Sequence, residues 1–96
     1  MRADYDSTAN AISIAITDAP HADASDEVDP RAIVALEGGK PVEVQLLYPD
    51  LGIAGPLAAV AARYDIDHEA LEAAAQSALA APDRVVNVEV EARTPA

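Results

Sequence analysis

The residues of this chain whose types could do chemistry lie near its front. Asp4, Asp6 and Asn10 supply side-chain oxygens of the kind that hold a hard cation. The stretch YDSTANAISI, Tyr5 to Ile14, sets a carboxylate, hydroxyls and an amide just ahead of an alternating apolar run. The same side chains have a geometric use, because Asp and Ser bond backbone N–H groups a residue or two ahead and so build a turn. That reading is the simpler one, since an isolated acidic cluster is weak evidence for a metal. Asp23, Asp26, Glu27 and Asp29 form a denser acidic set. They lack the fixed glycine and distal bidentate glutamate of a calcium loop. A solvated acidic surface is expected there, with recognition of a basic partner as its functional alternative, and neither metal nor cofactor is assigned.

Two imidazoles are available, His21 and His68. His68 stands just inside an expected helix start, where the positive end of the helix dipole disfavours an imidazolium. His21 lies in a loop beside Asp23, an acid able to orient it. A general base also needs a nucleophile brought to it in space. Ser7, Ser13, Ser25 and Ser77 show no strained-elbow context, so no catalytic residue is assigned. A small hydrolase or metal-dependent enzyme using His21 and nearby acids is the alternative reading.

The composition narrows the partners. Seventeen acids against six bases give a formal charge of −11 in 96 residues, which repels phosphate backbones and anionic lipid surfaces. Nucleic acid and membrane are not expected partners, whereas a basic protein is. The chain has no cysteine, which excludes a disulfide framework and a thiolate nucleophile. The N-terminal residues do not read as a signal peptide and no apolar run approaches the ~20 residues of a membrane span, so a soluble, cytoplasmic protein is the expectation. Half the residues are hydrophobic, many of them alanine, and Phe and Trp are absent. The core should be thin, and burial between subunits is one way to supplement it, so a homo-oligomer is expected.

The elements that must position these residues follow from periodicity. Ala11 to Thr17 alternates three isoleucines with small or polar groups, a half-buried strand, and Arg2 to Tyr5 is its short partner. DAPHADASDEVD, Asp18 to Asp29, reads as a surface connection with a short extended piece at Ala24 to Val28. After Pro30, AIVALEGGKPVEVQLLYP is a glycine hairpin. A three-residue loop, Glu37 to Gly39, pairs Leu36 with Lys40 and brings Ala32 and Val34 onto the face of Val44 and Val42; it is preferred to a two-residue Gly38-Gly39 loop. A helix is expected from Pro56 to Tyr64, and a second begins at the cap Asp67, stapled by Ile66 and Leu71 and striped by Leu71, Ala74, Ala75, Ala78 and Leu79. Pro82 stops it. Val86, Val88 and Val90 alternate in a final strand, and Arg93 to Ala96 form a frayed tail.

These pieces are jointly satisfied by one α+β domain over residues 1–96, a two-layer antiparallel sheet with a helix pair on one face. Its parts are a β-meander at 2–48, helices at 49–81 and a last strand at 84–92. The sheet's other face should carry Ala, Ser, Glu and Gln. The two helices also look superficially like a helix-turn-helix, but His68 to Ala81 offers two Glu, one Gln and no Lys or Arg for base edges.

The first half resembles a family of small bacterial proteins known as domain of unknown function 2283. The resemblance rests on Tyr5-Asp6, on Ala9-Asn10-Ala11 leading into Ile12 and Ile14, on Ser25-Asp26-Glu27-Val28, and on Gly39-Lys40 leading into Val42, Val44 and Leu46. It spans about residues 2 to 48. Asn10 stands where the family usually has an Asp, and Gly38 where the hairpin usually has a second acid. The resemblance implies a strand-and-hairpin fold and no catalytic residue or cofactor; proximity of its members to small toxin-like proteins implies an antitoxin-like or accessory role. A non-catalytic protein-interaction module is therefore the expected function.

Overall fold

In a computed structural model, residues 1–18 and 20–88 are described. The strands are β1 (Arg2–Asp6), β2 (Ala11–Ala15), β3 (Ala24–Asp29), β4 (Ala32–Glu37), β5 (Lys40–Leu47) and β6 (Val85–Asn87). They form one antiparallel sheet in the order β3-β4-β5-β2-β1-β6. The fold is α+β, with helices α1 (Ala54–Tyr64) and α2 (His68–Ala80) on one face. The chain leaves the central strand β2 for the far edge at β3, returns through β4 to β5 beside β2, and crosses the sheet in its helices before β6 pairs with β1.

Alternation decides which side chains the helices cover. Ala3, Ile12, Ile14, Ala32, Val34, Val44 and Leu46 face inward and meet Leu57 and Val60 of α1 and Leu71, Ala74, Ala75 and Ala78 of α2. Each fully buried Ile, Leu or Val stabilises by about 1.5–3 kcal/mol relative to exposure. The alanines of α2 let its backbone approach the sheet closely. α1 lies over β3, β4 and β5, and α2 over β1, β2 and β6.

The helix ends follow their sequence cues with one shift. Asp67 caps α2 by accepting from the Glu69 N–H at 3.0 Å, and Ile66 and Leu71 both join the core across that cap. α1 begins two residues before Pro56, with Ile53 accepting from the Leu57 N–H at 3.2 Å. Proline is tolerated at its third position because the first four helical N–H groups have no intrahelical acceptor.

One expectation needs correction. The β4–β5 turn is the two-residue loop Gly38-Gly39, with φ +57° and +81°, and pairs Glu37 with Lys40 and Leu36 with Pro41. A bulge restores the phase: Ala35 pairs with Glu43, so Val42 is the extra residue and Val34 aligns with Val44. Ala32, Val34 and Val44 share the inward face as expected, but Val34 is opposite Val44 and Ala32 opposite Leu46 instead of Val42 and Val44. The extended piece expected at Ala24 to Val28 is the edge strand β3, whose residues Ala24 to Asp29 pair with β4. The expected last strand is present as Val85–Asn87; its pairing is continued by the Val88 N–H, which donates to the Met1 carbonyl at 2.8 Å. Residues 89–92 of the expected strand and the tail at 93–96 lie outside the described residues.

Candidate interaction surface

The front of the chain is a turn. The Asp6 carboxylate accepts from the N–H groups of Thr8 and Ala9 at 3.0 and 3.1 Å. Asn10 takes the left-handed conformation, φ 52°, which Asn tolerates better than most residues. Its amide oxygen accepts from the Tyr5 hydroxyl at 2.9 Å and its nitrogen donates to Asp50 at 2.8 Å. Ser7 donates to Asp83 twice, from its N–H at 2.9 Å and its hydroxyl at 2.7 Å. These bonds hold Asp83 below the ordinary carboxylate range, the hydroxyl contributing first. The turn is thereby tied to the loop that follows α2.

Two of the four acids in the second set serve the backbone as well. Asp23 accepts from the Gly38 N–H at 3.1 Å and Asp29 from the Arg31 N–H at 2.9 Å. Asp26 is different, because its position opposite Val34 puts it on the helix side of β3. There its Oδ2 accepts from Arg63 Nε at 2.6 Å and from the Tyr64 hydroxyl at 2.5 Å. The Tyr64 hydroxyl, and then the Arg63 guanidinium, hold the Asp26 carboxyl below its usual range. The same bond to Asp26 pushes the Tyr64 hydroxyl up. This cluster clamps an edge strand to the end of α1. Sequence offered no cue for it, since the partners are separated by 37 and 38 positions.

The residues singled out for catalysis do not converge. The turn holding Asp6 and Asn10 is at the Ala11–Leu47 end of the sheet, whereas Asp23 binds the β4–β5 tip beyond the Ala15–Glu43 end. The register between those ends alone spans roughly 14 Å. His21, next but one to Asp23, is exposed and lines neither of the two surface depressions described here. His68 is half-exposed, with Nε2 4.0 Å from Glu72. Among the described residues no three His, Cys, Asp or Glu are arranged to hold a metal ion, and no polar or charged side chain is fully buried. At the level of single atoms, His68 Nε2 is shut off from solvent without a hydrogen-bond partner.

The sheet face away from the helices is the remaining feature. Strand alternation and register set its rows as Glu27, Ile33, Gln45, Ser13, Asp4 and Val85, and beside them Ser25, Ala35, Glu43, Ala15, Arg2 and Asn87. Alanine, serine, Glu and Gln are the residue types expected there. Among the described residues no element covers these rows, and Val85 is 67% exposed. A cleft of about 190 Å³ opens on them, floored by Ser13 and Ala15 and walled by Arg2 and Asp4 on one side and Glu43 on the other. Asp4 also lines a second depression of about 290 Å³, with Asp6, Asp83 and Arg84. No helix among the described residues is long and apolar enough to cross a membrane. Compared with family models, curated proteins and solved structures, the chain matches none.

Proposed function

We propose that this chain is a non-catalytic protein-interaction module whose acidic open sheet face engages a basic protein. The observation that carries the reading is the division of labour in the sheet. One face is consumed by the helices, and the other, which no element covers among the described residues, displays Asp4, Asp6, Glu27 and Glu43 with Arg2 among them. Such a face attracts a basic surface and repels a second acidic one. Two features make the β3 edge a poorer docking element for an added strand: an irregularity between Glu27 and Asp29, and charged side chains along its length. The resemblance of residues 2 to 48 to domain of unknown function 2283 belongs to the same proposal and gives it an antitoxin-like or accessory form.

The test is a capture experiment on the purified chain at low and high salt, with captured proteins identified and the mass of the chain and its complexes measured. Basic proteins retained at low salt and released at high salt are expected. A chain that retains no basic protein at low salt would sink the reading. Self-association through the outer strands β3 and β6 of the described sheet is tested by the same mass measurement.

A further inference from the structure

The cleft on the open face has walls and a floor that specify an occupant. Its floor is β2, where Ser13 and Ala15 are too small to fill the space between the neighbouring strands. Glu43 on β5 and Arg2 on β1 are each directly opposite Ala15, and Asp4 is opposite Ser13. The walls therefore stand two strand spacings apart, about 10 Å. Arg2 turns its guanidinium to the Asp18 carbonyl. Neither Asp4 nor Glu43 makes an ion pair or hydrogen bond through its side chain among the described residues. Pro20 and Val85 complete the lining, and the cleft thus presents two carboxylates without side-chain partners among the described residues, against the single cation Arg2, above a floor of methyl and hydroxymethyl groups.

Resting on the interaction-module reading, we infer that this cleft receives a lysine or arginine side chain of the basic partner. The aliphatic stem would lie over Ala15 and Ser13 and the cationic head would reach Asp4 and Glu43, the disposition long basic side chains adopt where an apolar surface ends in charge. The backbones of the wall strands lie about 10 Å apart with only the small Ser13 and Ala15 side chains between them, and the charge of an entering cation offsets the excess of the two acids over Arg2. Other acids behave otherwise: Asp26, on the helix side, already has Arg63 and Tyr64, and Asp6, Asp23 and Asp29 already serve backbone N–H groups. Charge complementarity selects a cationic side chain and the small floor fixes where it enters.

The experiment titrates the isotopically labelled full chain with a blocked peptide of alternating lysine and alanine, at low and high salt, following backbone amide resonances. Asp4, Ser13, Ala15 and Glu43 should shift most. Glu43→Gln and Asp4→Asn should each weaken binding about two- to fivefold, the range expected of an exposed ion pair, with unchanged circular dichroism. Glu72→Gln removes the same unit of charge from α2 and should leave the affinity unchanged. Equal weakening by Glu72→Gln would reduce the effect to net charge and overturn the inference. Shifts centred on Ser25 to Asp29, or the same shifts produced by calcium ion alone, would overturn it as well. These results remove the cleft and leave the module standing; absence of any peptide binding at low salt removes both.

Discussion

The two faces of the sheet are made by the same strands and do opposite work. On β2, Ile12 and Ile14 are wholly buried beneath the helices, while Ser13 and Ala15 point to the uncovered side. On β5, Val44 and Leu46 are buried, while Glu43 and Gln45 are not. The covered face takes nearly all the large aliphatic side chains, so cohesion resides there. Among the described residues no element packs on the open face, and Asp4 and Glu43 keep enough contact with water to stay without side-chain partners there. Stability and recognition are thus separated by one residue of register, since a single-step slip would exchange the two sets completely.

The sharpest way to break this comparison is to truncate one side at a time. Leu71→Ala should cost about 2–5 kcal/mol, whereas Gln45→Ala on the open face should stay within about 0.5 kcal/mol, both read by urea unfolding. Equal losses would mean that the open face also carries cohesion. A smaller effect is expected at the helix cap, where Asp67→Ala should cost about 1 kcal/mol and lower the helical circular dichroism signal before global unfolding.

Acid titration sharpens the comparison at the edge of the covered face. Folding favours ionised Asp26, so its contribution is complete above the ordinary value of 3.8 and is lost as pH falls through the depressed folded value. The urea midpoint of the native chain should therefore fall more steeply than that of Asp26→Asn as pH is lowered below the ordinary 3.8. Tyr64 carries the opposite sign. Its protonated form is favoured, so its contribution holds below the ordinary 10.0 and is lost as pH rises beyond it, a decline that Tyr64→Phe should lack. Parallel curves for the native chain and both variants would show that the clamp contributes nothing. The smallest effect is local: Ser7→Ala should raise the Asp83 carboxyl toward its ordinary value, followed by carbon-detected titration, because one of its two hydrogen bonds is removed.

Local chemistry made much of the molecule readable in advance. The isoleucine alternation placed β2, the cap Asp67 and the staple of Ile66 with Leu71 placed α2, and Asp6 served a turn as its neighbours suggested. The Gly38-Gly39 turn was misjudged because an inward set of Val34 with Val44 is compatible with either a longer loop or a bulge, and periodicity cannot separate them. The acids of β3 were grouped as solvated surface because alternation there is masked by charge. Asp26 was indistinguishable from Asp23 until α1 arrived beside it.

What the sequence determined by itself was the list of elements and which side of each is apolar, because propensity, capping and period act within a few residues. Tertiary structure alone decided the strand order, the pairing of β6 with β1, the clamp of Arg63 and Tyr64 on Asp26, and the cleft between Asp4 and Glu43. Those depend on which distant segments are brought within a few ångströms. A local pattern specifies which face is to be buried, and only the packed whole specifies what buries it.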